Sequence, residues 1–188
     1  MSWSFEEPPF KLEFDGSWQY VVKWDTHPAY ENGIKKSPCA KAVDFVGLLG
    51  GSREQWLYLI ELKDYREFAR QKEEGHYEEF EQKVCATVSG LVGAHRSGQY
   101  ADCAPFTEML FDPGSRLVVV YWVELPGGEH LTDVVRQGRR KARTSIRTQQ
   151  GKGRLSWLGA RFMTNNKAQQ DEGRGVPGLK VVNLPQAK

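Results

Sequence analysis

The stretch that decides the fold is residues 40–63, AKAVDFVGLLGGSREQWLYLIELK. It contains two apolar runs, 40–49 and 56–63, separated by the turn-forming residues Gly50, Gly51 and Ser52. Two such runs joined by a short glycine-rich turn predict a β-hairpin. Acidic residues interrupt both runs, Asp44 in the first and Glu61 near the end of the second. Because charged residues are rarely buried without a partner, these carboxylates mark a candidate site.

The sequence on either side of this hairpin predicts one α/β domain that spans residues 1–188. The residues before Gly16 mix proline with charged residues and predict an irregular N-terminal arm (1–16). Apolar residues at helical spacing predict the helices, and runs of β-forming residues predict the strands. The expected elements outside the hairpin are strand Trp18–Trp24, loop His27–Pro38, helix Tyr77–Arg96, strand Arg116–Leu125, helix Leu131–Arg147, and short strands within Trp157–Thr164 and Leu179–Leu184. The run Arg116–Leu125 is apolar on both faces and is therefore expected inside the sheet. The expected fold class is a central mixed β-sheet flanked by helices.

Composition excludes several classes of protein. The chain has 188 residues and a formal net charge of +2, so overall charge indicates no particular partner. It lacks an apolar run of about 18 residues, so no membrane partner is expected. The start MSWSFEEPPF does not resemble a secretory signal. The three cysteines are widely spaced and form no Cys-x-x-Cys pair, which favours reduced thiols in the cytoplasm over a zinc site.

The carboxylates and a nearby lysine form a pattern with chemical meaning. Side chains alternate along a strand, so Glu61 and Lys63 share one face, and pairing of the two strands would bring Asp44 beside Glu61. Two carboxylates, completed by the Leu62 carbonyl, would make an oxygen site for Mg²⁺ or Mn²⁺. Lys63 would orient a water molecule or stabilise developing charge. The alternative is an ordinary surface pair at a strand end, because Glu-x-Lys recurs in this chain at Glu81–Lys83. That second copy lies in a predicted helix, where residues two apart do not share a face.

The run KAVDFVGLLGG…WLYLIELKDY resembles motifs II and III of the PD-(D/E)XK, or restriction-endonuclease-like, nuclease superfamily. Asp44 matches the motif aspartate, and Glu61-x-Lys63 matches the (D/E)-x-K element. The resemblance implies an αβββαβ core and a Mg²⁺-dependent phosphodiesterase with Asp44, Glu61 and Lys63 as catalytic residues. It also implies a polar contribution from the following helix, for which Lys83 is preferred over Gln82.

The sequence departs from the family pattern in two respects. No proline precedes Asp44. The family's first helix, which often carries a glutamate near the site, is not evident. The glutamates that remain equal candidates for that role are Glu6, Glu7, Glu13 and Glu31.

A stripe of arginines lies on the predicted helix Leu131–Arg147. Its expected phosphate-binding residues are Arg136, Arg139, Arg140, Arg143, Arg147 and the following Lys152. Acidic residues are not interleaved after Asp133, so pairing within the helix does not explain the stripe. Arginine suits phosphate because its guanidinium group donates two parallel hydrogen bonds. The alternative is a solvated basic face.

These patterns together predict a metal-dependent nuclease that acts on nucleic acid, with DNA favoured over RNA. The alternative is a catalytically inactive nucleic-acid-binding module, or a subunit of a larger defence or repair assembly with the same fold. A role in phage defence rests on analogy alone. Cutting both strands of a duplex needs two active sites, which favours a homodimer. A different protein partner is the alternative.

The arginine stripe makes a prediction about binding. Replacing Arg140, Arg143 and Arg147 with alanine should weaken nucleic-acid affinity and flatten its dependence on salt, because fewer phosphate contacts release fewer counterions. The measurement is the slope of log affinity against log salt concentration. An unchanged slope would assign the stripe to a solvated face.

Overall fold

A computed structural model describes residues 2–38, 40–51, 54–66, 76–124 and 153–184. The strands are β1 (Trp3–Glu7), β2 (Phe10–Phe14), β3 (Trp18–Lys23), β4 (Phe45–Gly51), β5 (Glu54–Asp64), β6 (Arg116–Glu124), β7 (Arg161–Asn165) and β8 (Leu179–Asn183). The α-helices are α1 (Pro28–Glu31), α2 (His76–Ser97), α3 (Ala104–Phe111) and α4 (Lys167–Asp171). Short 3₁₀ turns occupy Trp24–Thr26, Ile34–Lys36, Ala101–Cys103 and Ser156–Leu158.

The predicted hairpin forms the middle of a five-stranded sheet with the order β3-β4-β5-β6-β7. Strands β3, β4 and β5 pair antiparallel, and β5-β6-β7 pair parallel. Gly50 has a φ of +117°, and a Cβ there would lie 2.1 Å from the Glu54 carbonyl oxygen. The hairpin therefore requires glycine at this position. Helix α2 lies in the connection between β5 and the parallel β6, as a parallel crossover requires.

One face of this sheet is covered by helices. Phe80, Val84 and Leu91 recur at helical spacing on α2 and are buried against Leu57 and Leu59 of β5. This confirms the predicted helix, which begins at His76 and ends at Ser97. Helix α3, which the sequence patterns did not predict, packs Phe106 and Met109 into the same core.

The other face is covered by a second sheet with the order β1-β2-β8. Its buried residues Phe10, Leu12 and Phe14 pack into one core with residues of the large sheet such as Phe45. The ring centroids of Phe5 and Phe45 are 5.2 Å apart. The prediction of an irregular arm over 1–16 was therefore wrong. The α/β class with a mixed β-sheet is confirmed, but the described residues form a second, antiparallel sheet where only one sheet was expected. The alternation of buried and half-buried residues along β2 is the period-two signal of a strand.

Smaller differences concern where elements begin and end. The apolar run from Ala40 becomes a strand only at Phe45, and the predicted loop His27–Pro38 contains α1 and a 3₁₀ turn. Strand β6 matches its predicted place inside the sheet, since β5 and β7 flank it. The two predicted closing strands are present as β7 and β8, but they belong to different sheets. The predicted helix Leu131–Arg147 lies outside the described residues.

Within the described ranges, every helix is too short or too polar to cross a membrane.

The packing of the second sheet makes a prediction about stability. Leu12 is fully buried, so Leu12→Ala should lower the free energy of unfolding by about 2–5 kcal/mol through lost burial and the cavity left behind. Glu6→Ala, at an exposed position on β1, should change it little. Urea denaturation measures both. Equal, small effects would mean that the β1–β2 hairpin contributes little to the fold.

Candidate active site

Two carboxylates meet across the β4–β5 hairpin. The antiparallel pairing ends at Phe45 opposite Ile60, so the next pair of facing residues is Asp44 and Glu61. Asp44 Oδ2 accepts a 2.6 Å hydrogen bond from the Leu62 backbone N–H. Glu61 shares its face of β5 with Leu57 and Leu59, which is the face covered by α2. The structure thus brings together the two acidic residues that the sequence pattern singled out.

Three contacts hold Asp44 in place where β4 begins. Its backbone carbonyl accepts a 2.8 Å hydrogen bond from the Trp24 N–H. The preceding residue, Val43, donates its N–H to Thr87 Oγ1 of α2 at 3.1 Å. The third contact is the bond from Leu62 to the Asp44 side chain. The position of this carboxylate is therefore fixed by the end of β3, by β5 and by α2 together.

Two ammonium groups converge on the Glu61 carboxylate. Lys83 Nζ of α2 lies 2.7 Å from Glu61 Oε1 and 4.0 Å from Asp44 Oδ1. Lys63 Nζ lies 3.1 Å from the same Glu61 oxygen. Gln82, the other helix residue considered, is exposed. The four predicted side chains Asp44, Glu61, Lys63 and Lys83 are therefore in one place, here called the carboxylate–lysine cluster.

Burial controls the charge of this cluster. The Glu61 side chain is 0% exposed, and burial raises its pKa against the opposing effect of Lys83 and Lys63. Burial and the neighbouring Glu61 raise the pKa of Asp44 to about 7. Burial acts to lower the pKa of Lys63, but Glu61 outweighs it and the net pKa is raised. Metal-free Asp44 therefore changes its charge near neutral pH.

Glu61 Oε2 is the atom of the cluster whose polar pairing is incomplete. This atom is buried and has no hydrogen-bond partner among the described residues. Leaving a buried carboxylate oxygen unpaired is costly. Carboxylate oxygens are the ligands that Mg²⁺ and Mn²⁺ prefer. The donor set of Asp44 and Glu61 therefore fits such an ion.

Several residues at the edge of the cluster were not predicted. Glu79 of α2 lies 4.0 Å from Lys63 Nζ and 3.0 Å from Lys41 Nζ. Tyr121 is buried on β6 at the register position of Glu61. Asp25 is close enough to Lys83 for that ammonium to lower its pKa, although burial raises it overall. The spacing of four between Glu79 and Lys83 was a usable signal, because such residues share a helix face.

The N-terminal glutamates pair with lysines outside the cluster. Glu7 pairs with Lys23, whose pKa is raised mainly by that contact and to a smaller extent by Asp25 and Asp44. The remaining partners are Lys11 and Lys180 for Glu13, and Lys35 for Glu31. Glu6 is exposed. The basic stripe Arg136–Arg147 and Lys152 lie outside the described residues.

A second group with metal-binding side chains lies beside α1. Ligand atoms of His27, Asp102 and Cys103 lie within 4.8 Å of one another. His27 Nδ1 accepts the Ala29 N–H at 3.2 Å, and Nε2 lies 3.0 Å from Asp102 Oδ2. Burial, then Asp102, raises the pKa of Cys103 to about 12. Both ring nitrogens of His27 are thus engaged within the protein, so a metal ion at this group would have to replace one of these contacts.

Comparisons with known proteins returned no match: none with a family model, none with a curated protein and none with a solved structure.

The raised pKa of Asp44 makes a prediction about pH. A carboxyl whose pKa is higher in the folded state than its ordinary value of 3.8 stabilises the fold in acid, and this contribution is lost as pH rises through about 7. Without divalent metal, wild type should therefore lose about 1–2 kcal/mol more of its unfolding free energy than Asp44→Asn between about pH 5.5 and pH 8. Urea denaturation in EDTA measures this. Parallel pH profiles for the two proteins would contradict it.

Proposed function

We propose that this chain is a divalent-metal-dependent nuclease that hydrolyses nucleic acid phosphodiester bonds. The observation that carries the proposal is the carboxylate–lysine cluster, in which Asp44 stands opposite Glu61 on paired strands with two ammonium groups beside them. A buried oxygen of Glu61 that has no hydrogen-bond partner in the described part of the chain supports a cation there. The residues of this same hairpin carry the resemblance to PD-(D/E)XK nucleases.

Asp44 and Glu61 would hold a Mg²⁺ or Mn²⁺ ion, with the Leu62 carbonyl as a further ligand. The Leu62 N–H is directed at Asp44, and the N–H and carbonyl of one strand residue point to the same side. The ion would lower the pKa of a bound water and stabilise charge on the phosphate.

The two lysines supply positive charge from the protein itself. Lys63 is partly exposed, with 26% of its side chain accessible, while Glu61 beneath it is inaccessible. An ammonium at the mouth of a buried acidic site is placed to orient the attacking water and to stabilise negative charge on the phosphate. Lys83 would act on the same Glu61 oxygen from α2.

The strand order agrees with the fold that the resemblance implies. Three antiparallel strands, β3 to β5, are followed by α2, by the additional short helix α3 and by β6, which is parallel to β5. This corresponds to the βββαβ part of the expected core. The first helix of that core has no counterpart among the described residues before β3.

Nucleic acid is the proposed substrate because of the basic sequence around Arg136–Arg147. The chain that follows this stripe returns to the helix of the cluster: Arg154 contacts Glu78 and Glu81 of α2 at 3.2 and 3.0 Å. Leu155 is buried in the same core as Phe80. Arg154, the described residue that follows the basic stripe, therefore lies beside the helix that carries Lys83. Between the two nucleic acids, DNA is favoured over RNA.

A second candidate function is nucleic-acid binding without cleavage. The observation in its favour is that Lys63 and Lys83 already contact Glu61, so the buried carboxylate has compensating charge without a metal. A subunit of a larger assembly would need nothing more from these residues.

Cleavage assays on variants distinguish the two functions. Glu61→Ala removes a proposed metal ligand, and Lys63→Ala removes an ammonium, so each should lower the metal-dependent cleavage rate by about two or more orders of magnitude, as for other single catalytic groups. Both variants should still bind nucleic acid in EDTA. Glu54→Ala is the matched control, because Glu54 lies at the other end of β5 and pairs with Arg116 on the surface.

Two results would count against the proposal. The binding function is favoured if wild type binds a nucleic acid well but cleaves neither DNA nor RNA with Mg²⁺ or Mn²⁺. Variants that cleave as fast as wild type would place the active site elsewhere.

A further inference from the structure

We propose that Lys83 is an internal counter-ion that occupies the cation position of the carboxylate–lysine cluster and is displaced when a divalent metal binds. This inference rests on the proposed function and concerns how the same site is regulated. Displacement of Lys83 would make metal binding and phosphate binding depend on each other.

The position of Lys83 Nζ carries the inference. It lies 2.7 Å from Glu61 Oε1 and 4.0 Å from Asp44 Oδ1, so one ammonium is within 4.0 Å of both carboxylates. A Mg²⁺ ion bound to both carboxylates would sit about 2.1 Å from an oxygen of each. An ammonium and a metal ion cannot both fill this space. One of them has to leave.

The charge of the cluster leads to the same conclusion. Asp44 and Glu61 contribute two negative charges when ionised, and Lys63 and Lys83 contribute two positive charges. With all four groups ionised, the net charge of the metal-free cluster is zero. Adding a dication to it would leave two positive charges in excess at a site where Glu61 is inaccessible to water. Such an excess is unfavourable unless an ammonium moves away or an anion arrives.

Lys83 is better placed to move than Lys63. Lys63 also lies 4.0 Å from Glu79, so it keeps an acidic neighbour when Glu61 turns to a metal. Both acidic partners of Lys83, Glu61 and Asp44, are the carboxylates that the metal would bind, and its long flexible stem leaves α2 at the site. Once displaced, its ammonium would be free to meet a phosphate. A substrate phosphate would thus favour metal binding, and metal would favour the phosphate, by reciprocal linkage.

The experiment measures Mn²⁺ binding alone, by calorimetry and by thermal shift, without nucleic acid. Removing the competing ammonium in Lys83→Met should tighten Mn²⁺ binding by about tenfold or more and enlarge the rise in Tm that Mn²⁺ produces. Lys83→Gln should behave in the same way and serves as a second neutral variant. Lys83→Arg keeps the charge and should bind Mn²⁺ as weakly as wild type. Lys63→Met is the matched control and should gain much less.

A short phosphorothioate-substituted oligonucleotide tests the linkage. It should tighten Mn²⁺ binding to wild type, and it should do so much less for Lys83→Met.

Each contrary result has a distinct meaning. The inference is overturned if Lys83→Met and Lys83→Gln fold cooperatively but bind Mn²⁺ no more tightly than wild type. That result would leave the proposed function standing. The inference is also overturned if Lys63→Met gains as much Mn²⁺ affinity as Lys83→Met. If neither wild type nor any of these variants binds Mn²⁺, the proposed function fails, and the inference fails with it.

Discussion

The burial of the Glu61 carboxylate is the constraint on which the rest of the site depends. Glu61 lies one residue past the last β4–β5 pair, where β5 is still paired with β6 and α2 covers the face. A carboxylate in such a place is stable only with compensating charge or when protonated. Lys63 comes from the same strand face and Lys83 from the helix above. Both lysines are therefore explained by the same requirement.

The same constraint explains the role of α2. One row of this helix, spaced by four residues, places Glu79, Lys83 and Thr87 along the side that faces the cluster. Glu79 contacts Lys63, Lys83 contacts Glu61, and Thr87 accepts the Val43 N–H just before Asp44. The apolar residues Phe80, Val84 and Leu91 hold the helix against the sheet. Packing of the core and geometry of the cluster are thus parts of one arrangement.

Local periodicity in the sequence predicted the strands and the helix around the cluster. The second sheet was not predicted, because it depends on contacts between segments far apart in the sequence. The two apolar runs and Gly50-Gly51 predicted the hairpin. Lys83 was preferred only through the resemblance to a known family, because the sequence does not distinguish a lysine on the surface from a lysine in the cluster. Strand β2 pairs with β8, which lies more than 160 residues later, so no local pattern predicts the second sheet. Pro8 and Pro9 at the turn between β1 and β2 also obscured the strand signal. Tyr121 comes to lie beside Glu61 only through the pairing of β5 with β6.

A divalent metal site formed by Asp44 and Glu61 is the feature on which the proposed chemistry depends. Anomalous scattering from a crystal of the protein soaked in Mn²⁺ would show such a site directly. We expect one strong peak bound by carboxylate oxygens of Asp44 and Glu61, with Lys83 Nζ moved away from Glu61. Two results would contradict this assignment. One is the absence of a peak at the cluster at saturating Mn²⁺, with Lys83 still in contact with Glu61. The other is a peak only at His27, Asp102 and Cys103.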